Sequence, residues 1–236
     1  MLIIFDLDDT LIDTSGCITP VQLTNALEKL NSLGVVFPDL DKSVDSLLRL
    51  NETAPSARHA VEEFFEISGI DSKFLDMTLR SVYEEFPSSL QVDAHDMAIE
   101  VLVALSETHK LALVTIGKEE LQLLKLKKAG IHSEIFSKII VTQEKNKKIH
   151  YNSIVAELEM DSSEVVVCGD RIPIDLTPAK ELGFKTVHMR SGRGLHCKGD
   201  KNDVDFTISH LSEILQILPQ VSNITSLIGN IAHDDK

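Results

Sequence analysis

The sequence predicts an α/β protein: a Rossmann-like, doubly wound parallel sheet with an all-helical block inserted after its first strand. Three observations predict this fold. The chain begins with a short apolar run, residues 2–7, that ends in acids, as does a strand buried on both faces of a parallel sheet. Helical periodicity alone fills residues 19–87. From residue 88 onward helix and strand patterns alternate, which is typical of a parallel sheet with helices on both faces.

The inserted block has the apolar spacing of three or four successive helices. Leu23 and Leu27 fall on one face of the first helix, and similar spacings recur to about residue 86. Pro38, Pro55 and Gly69 interrupt the helical pattern and predict the connections between helices. We therefore expect a separate helical domain at residues 16–87.

The remainder of the chain predicts the rest of the sheet and its covering helices. Predicted strands follow at residues 111–115, 138–141, 165–168, 186–189 and 206–208. Predicted helices lie at residues 93–108, 119–129, 151–158, 174–182 and 211–218. The α/β core is expected at residues 1–15 and 88–218, and residues 219–236 are expected to form a tail or a short helix.

Composition excludes several classes of protein. The 236 residues carry a net charge of −14, which argues against a nucleic-acid partner because such binding is largely cationic. Apolar runs fall far short of the ~20 residues that cross a bilayer, so we expect no membrane contact. The amino terminus lacks the features of a signal peptide and is interpreted as a mature strand. The 3 cysteines are widely separated, which favours a reducing, cytoplasmic location.

Acids follow two of the predicted strands. Asp6 and Asp8 end the first strand, and Asp170 with Asp175 follows residues 165–168. The carboxyl ends of parallel strands meet at one sheet edge, so these acids should converge there. Two charges 4 Å apart repel by roughly 4 kcal/mol at an effective dielectric of about 20. The acids therefore predict a bound cation, and all-oxygen ligands suit Mg²⁺.

Two further polar features follow strands in the same way. Thr115 closes one predicted strand, and a cluster of lysines, Lys145, Lys147 and Lys148, follows another. A metal ion and a lysine together would create a locally positive pocket within an acidic protein. We therefore expect an anionic substrate.

The first acidic motif, Asp6-Leu7-Asp8-Asp9-Thr10, resembles the nucleophile motif of the haloacid dehalogenase-like hydrolase superfamily, whose commonest members are magnesium-dependent phosphatases. The later motifs occur in the same order as in that family. The resemblance implies that Asp6 attacks phosphorus and that Asp8 protonates the leaving group and then activates water. It implies that Thr115 and Lys148 hold the phosphoryl oxygens. The helical block lies where the family places its type-one cap.

The same resemblance implies the metal and substrate groups. Asp6, Asp170 and the main-chain carbonyl of Asp8 would bind Mg²⁺, with Asp175 in support. Ile116 and Gly117, which follow Thr115, join Thr115 and Lys148 as candidate substrate-binding residues. Arg171, which follows Asp170, could contact the substrate or instead pair with a neighbouring carboxylate. An acid at Asp8 favours phosphate esters over carbon–halogen bonds, because an alkoxide leaving group needs a proton. The expected substrate is a small phosphorylated metabolite.

Several alternatives stay open at the level of sequence. The choice of Lys148 over Lys145 and Lys147 depends on the register of the following helix. Asp170 and Asp175 could instead cap a helix. A phosphomutase would share every motif, and a catalytically inactive metabolite-binding protein would share the fold. The oligomeric state and the natural substrate are not predicted.

Overall fold

The structure is a computed structural model that describes residues 1–221, and the predicted tail therefore lies mostly outside the described residues. The chain divides into two compact units. The α/β unit comprises Met1–Asp13 and Asp93–Lys236, and the helical unit comprises Thr14–Val92. No helix among residues 1–221 is both long enough and apolar enough to cross a membrane.

The α/β unit contains a six-stranded sheet whose paired strands all run parallel, which confirms the predicted fold class. The strands are β1 (Leu2–Phe5), β2 (Lys110–Ile116), β3 (Lys138–Thr142), β4 (Val165–Gly169), β5 (Lys185–Met189) and β6 (Phe206–Ile208). Their order in space is β3-β2-β1-β4-β5-β6. β1 and β4 are adjacent although more than 150 residues of sequence separate them, so the acids that follow them meet at the sheet's centre.

Helices follow the strands of the sheet, and four others form the helical unit. The helical unit contains α1 (Thr19–Ser32), α2 (Leu40–Thr53), α3 (Ala57–Ser68) and α4 (Leu75–Glu84). The α/β unit contains α5 (Ala98–Ser106), α6 (Glu119–Lys128), α7 (Lys148–Glu157) and the short α8 (Thr177–Lys180). Helical residues also run from 214 to 221, the last residue described.

Each unit has its own apolar core. β1 and β4 are fully buried, as their apolar sequences predict, and Leu2, Ile4 and Val167 pack with Tyr151 of α7. The helices of the other unit enclose a second cluster that includes Leu27, with Leu23, Leu47, Phe64 and Val82. Burial of apolar surface at about 25 cal/mol per Å² stabilises both cores.

The helix predicted at residues 174–182 is shorter in the structure, where α8 spans Thr177–Lys180. Two larger differences concern where helices begin. The helix predicted at residues 93–108 begins only at Ala98, because Ala94 pairs with Ile12 and the His95 N–H donates to the Leu11 carbonyl. The helix predicted at residues 151–158 begins earlier, at Lys148, whose N–H donates to the side chain of Asn146 at 3.0 Å. The second difference changes which lysine faces the sheet.

Candidate active site

The sheet brings the predicted acids together at its carboxyl edge. In the register of the two central strands Phe5 lies opposite Cys168, and the Asp6 N–H donates to the Cys168 carbonyl at 3.0 Å. Asp6 and Asp170 therefore follow the ends of adjacent strands and lie at nearly the same height along the strand direction. Carboxylate oxygens of Asp6, Asp170 and Asp175 all lie within 4.8 Å of one another. We call these three residues the acidic cluster.

Asp175 enters the acidic cluster from the turn after β4. This turn spans Ile172–Leu176, and the Arg171 N–H donates to Asp175 Oδ2 at 2.9 Å. Gly169 provides the space, because a Cβ at that position would lie 2.5 Å from the Cβ of Asp175. Asp170 and Asp175 are each only 1% exposed, whereas Asp6 is 8% exposed. The cluster is therefore buried, and Asp6 is its most accessible member.

One lysine lies among these carboxylates, and it is Lys147. Its Nζ lies 2.6 Å from Asp6 Oδ1, 2.6 Å from Asp175 Oδ1 and 2.8 Å from the Val114 carbonyl oxygen. Lys147 donates hydrogen bonds to Asp6 and to the Val114 carbonyl, and its contact with Asp175 is an ion pair. The Lys147 side chain is 1% exposed. It thereby fixes Asp6 relative to both Asp175 and strand β2.

This geometry places Lys147 beside Asp6, and not Lys148, which was the choice from sequence. Lys148 forms an ion pair with Glu181 at 2.8 Å, and its side chain is 42% exposed. Lys145 is exposed as well. The reason is the register of α7: Lys148 is its first residue, and successive side chains on a helix point about 100° apart. Lys147, one residue earlier, points into the sheet edge instead.

The charges of the acidic cluster do not balance. Burial raises the pKa of the Asp6 carboxyl to about 7; Lys147 opposes this shift, and Asp175 and Asp8 add to it. Burial, reinforced by Asp175 and Asp6, raises the pKa of Asp170 well above its usual range, and the charge of Arg171 opposes this shift. Three carboxylates face one ammonium group, so the cluster favours an additional positive charge.

The acidic cluster fits a hard divalent cation. Asp170 Oδ1 is buried and has no hydrogen-bond partner among the described residues. A buried carboxylate oxygen without a donor costs free energy unless a proton or a metal ion satisfies it. Carboxylate oxygens are ligands that Mg²⁺ accepts. Asp6 and Asp170 could therefore hold such an ion, with Asp175 in support.

The carboxylate of Asp8 lies outside the acidic cluster. Its Oδ2 accepts from Gln122 Nε2 at 2.8 Å, and its Oδ1 accepts from Lys125 Nζ at 2.8 Å. Gln122 Nε2 also donates to the hydroxyl of Thr115 at 2.6 Å. Thr115, at the end of β2, is completely buried. Gln122 therefore links Asp8 and Thr115, two residues that the sequence predicted, and Lys125 contacts the other carboxylate oxygen of Asp8.

The remaining predicted substrate residues occupy different surroundings. Gly117 lies beside Gln122, and its N–H donates to the Thr142 carbonyl at 2.8 Å. Ile116 is the half-buried last residue of β2. Arg171, also half-buried, lies near enough to Asp170 to affect its pKa. No contact in the described residues assigns any of these three to a substrate.

Sequence reasoning did not single out Gln122 or Lys125, and it chose Lys148, whereas the lysine that contacts Asp6 is Lys147. A signal for Gln122 was present: in helix α6 it shares the buried face with Leu126, where a polar residue is unusual. No local signal distinguished Lys125 from the other lysines of that helix.

The sequence resembles known proteins along most of its length. The sequence model of the haloacid dehalogenase-like hydrolase family matches residues 3–189. A glyceraldehyde 3-phosphate phosphatase of Methanocaldococcus jannaschii is 26% identical to the chain over 224 residues, which cover 92% of this chain and 96% of that protein.

Solved structures share the fold. A HAD phosphatase from Thermococcus onnurineus superimposes with a TM-score of 0.61 at 23% identity, covering 92% of this chain and 97% of the other. A 2-haloacid dehalogenase from Pseudomonas syringae superimposes with a TM-score of 0.56 at 21% identity, covering 93% and 98%. Because both reactions occur on this fold, the likeness in fold alone does not identify the reaction. The family match extends over well over half of the sequence, and the chain belongs to the haloacid dehalogenase-like hydrolase family.

Proposed function

We propose that this protein is a phosphatase that hydrolyses a small phosphomonoester with the help of Mg²⁺, through an aspartyl-phosphate on Asp6. The observation that carries the proposal is the cluster in which buried Asp6 lies 2.6 Å from Lys147 and within reach of Asp170 and Asp175. The relatives that are named phosphatases support the same reaction class. Neighbouring structures include a dehalogenase, but an acid at Asp8 favours a substrate whose leaving group needs a proton.

In the first half of the proposed reaction Asp6 is the nucleophile. An oxygen of its carboxylate attacks phosphorus, the bond from phosphorus to the ester oxygen breaks, and the departing alkoxide takes a proton from Asp8. The Thr115 hydroxyl and the Lys147 ammonium group hold the phosphoryl oxygens. Lys147 also keeps Asp6 in place through their direct contact. Such transfers depend mainly on in-line positioning and on stabilisation of the equatorial oxygens.

In the second half water removes the phosphoryl group from Asp6. Asp8, now ionised, takes a proton from water as the water oxygen attacks phosphorus. The bond from phosphorus to the Asp6 oxygen breaks, inorganic phosphate leaves, and both aspartates regain their starting states. A carboxylate nucleophile therefore divides one difficult displacement into two easier ones.

The acidic cluster would hold the metal through Asp6 and Asp170, with Asp175 in support and the main-chain carbonyl of Asp8 as a further ligand. A bound Mg²⁺ supplies positive charge that offsets the repulsion between Asp6 and an anionic phosphoryl group. The mismatch between three carboxylates and one lysine supports this part of the proposal.

Activity on phosphate esters tests the proposal. The panel should contain glyceraldehyde 3-phosphate, because relatives carry that name, together with other small sugar and alkyl phosphates. Wild-type protein should release inorganic phosphate only with Mg²⁺. Asp6→Asn should lower the rate by at least about 10⁴-fold, as expected when a nucleophile is removed. Asp96→Asn, a change at an exposed acid of the same unit, is the matched control and should retain wild-type activity.

Three results would contradict the proposal. One is the absence of phosphate release from every ester tested. Another is an active Asp6→Asn variant. The third is a sugar phosphate that is isomerised without release of phosphate, which would identify a phosphomutase.

A further inference from the structure

We propose that Gln122 and Lys125 are positioning residues that hold Asp8 as the base that activates water, and that Gln122 also orients the Thr115 hydroxyl toward the phosphoryl group. This inference rests on the proposed phosphatase function. It assigns a role in catalysis to one face of helix α6, which contributes no residue to the family motifs quoted above.

The amide group of Gln122 has one arrangement that satisfies both of its neighbours. An ionised carboxylate only accepts hydrogen bonds, so the NH₂ end must face Asp8, at 2.8 Å. The amide nitrogen carries two hydrogens, and the second reaches the Thr115 hydroxyl oxygen at 2.6 Å. Thr115 is then an acceptor in this bond, and its own single hydrogen is left to donate to a different oxygen. A phosphoryl oxygen beside Asp6 is the acceptor that the proposed reaction brings.

Lys125 completes the support of Asp8. Its Nζ lies 2.8 Å from Asp8 Oδ1, so each carboxylate oxygen has its own donor and the plane of the group is fixed. The side chains of Lys125 and Asp8 are 14% and 28% exposed, so this ion pair is partly shielded from water. Gln122 and Lys125 are three residues apart, which places them side by side on one face of the helix.

The surroundings of Gln122 are shaped for this contact. Gln122 is 3% exposed, and a polar side chain so buried needs its hydrogen bonds. A Cβ on Gly117 would lie 2.9 Å from Gln122 Cδ, so the absence of a side chain there leaves the space that the amide occupies. Gly117, predicted to bind substrate, therefore acts at this position by making room for Gln122.

Both donors hold the plane of the Asp8 carboxylate, and in the second half-reaction a water molecule must line up with this carboxylate and with phosphorus at the same time. Loss of either donor should therefore slow hydrolysis of the aspartyl-phosphate more than its formation. The phosphorylated enzyme should accumulate during turnover. A merely structural loss would lower the overall rate without changing which form of the enzyme accumulates.

The test measures phosphorylated protein during steady-state turnover. Wild type, Lys125→Met, Gln122→Leu and Lys127→Met are mixed with Mg²⁺ and the best phosphate ester, quenched in acid and analysed by intact mass. Lys127 is an exposed lysine of the same helix and supplies the matched control. We expect Lys125→Met and Gln122→Leu to lower kcat by at least about 10-fold and to raise the phosphorylated fraction several-fold. Lys127→Met should match wild type, and Lys125→Arg should restore most of the activity by keeping the charge.

The outcomes separate this inference from the function on which it rests. If wild type turns over but both variants have the same phosphorylated fraction as Lys127→Met, the positioning role is wrong and the phosphatase proposal stands. If wild type releases no phosphate, both are wrong. Should Gln122→Leu fail to fold by thermal denaturation, the partly exposed Lys125 still decides the question through its Met and Arg variants.

Discussion

The two edges of the central sheet contain aspartates in opposite electrostatic situations. At the carboxyl edge burial raises the pKa of Asp6 to about 7, and three carboxylates there share one lysine. At the amino edge Asp205, just before β6, accepts from Lys180 Nζ at 2.7 Å and from the Thr186 N–H at 3.0 Å. Lys185 lies 3.6 Å from the same carboxylate.

The pKa of Asp205 shifts in the other direction. Burial would raise the pKa of Asp205, but the hydrogen bonds from Lys180 and Thr186 outweigh burial and lower it. One carboxylate therefore has two lysines at the amino edge, whereas three carboxylates have one at the carboxyl edge. A carboxylate with enough hydrogen-bond donors, such as Asp205, stabilises the fold by itself. Carboxylates that outnumber their donors, such as those of the acidic cluster, need a bound cation.

The largest loss of activity is expected when Lys147, the cation that contacts the acidic cluster, is replaced. Lys147→Met should lower kcat/KM by about 10²- to 10³-fold, because it removes a buried positive charge beside the nucleophile and the phosphoryl oxygens. Lys148→Met is the matched control, since Lys148 only pairs with exposed Glu181, and it should change kcat/KM by less than about 2-fold. The measurement is phosphate release over a range of substrate concentrations. A larger loss in Lys148→Met than in Lys147→Met would reverse the assignment of the catalytic lysine.

A smaller effect is expected from Mg²⁺ on thermal stability. At about 100 times its Kd a bound ion contributes about 2.7 kcal/mol, which corresponds to a rise in Tm of several degrees. Asp170→Asn should abolish this rise, because Asp170 supplies a buried carboxylate oxygen that lacks a hydrogen-bond donor. Without metal, Asp170→Asn should not lower the Tm, since it removes one of the crowded charges.

The control for the metal experiment comes from the opposite edge. Asp205→Asn removes an equivalent charge where lysines already compensate it, and it should keep the full Mg²⁺-dependent rise in Tm. An equal response of Asp170→Asn and wild type to Mg²⁺, measured by differential scanning fluorimetry, would remove Asp170 from the metal site.

The smallest effect concerns the fold alone. Asp205→Asn should lower the free energy of unfolding at pH 7 by about 1 kcal/mol, because the ion pair with Lys180 is only partly buried. A carboxyl group whose pKa is lowered by folding stabilises the protein above its unfolded pKa, and this contribution disappears as the pH falls through the folded pKa. The difference between wild type and Asp205→Asn should therefore vanish under strongly acid conditions. Urea unfolding of both proteins at pH 7 and in strong acid measures this difference in the free energy of unfolding. A difference that persists in acid would show that the charge of Asp205 is not its cause.

The sheet and the acids at its carboxyl edge could be predicted from sequence because their signals are local. A short apolar run in the sequence predicts strand β1, and Asp6 comes directly after it. The same rule predicted Thr115 and Asp170 at the ends of the two strands that flank β1. The boundary of α5 was wrong because Ala94 pairs with Ile12, a contact across more than 80 residues that no window of sequence contains.

By itself the sequence determined the fold class and the level of the sheet at which the acids lie, because hydrophobic periodicity and strand ends are properties of consecutive residues. Tertiary structure alone decided which lysine joins Asp6, since a shift of one residue at the start of α7 turns a side chain by about 100°. It alone also brought Gln122 and Lys125 to Asp8, across 114 and 117 residues of chain. Hydrogen bonds and ion pairs depend on distances of a few ångströms in space, and distance along the chain does not determine them.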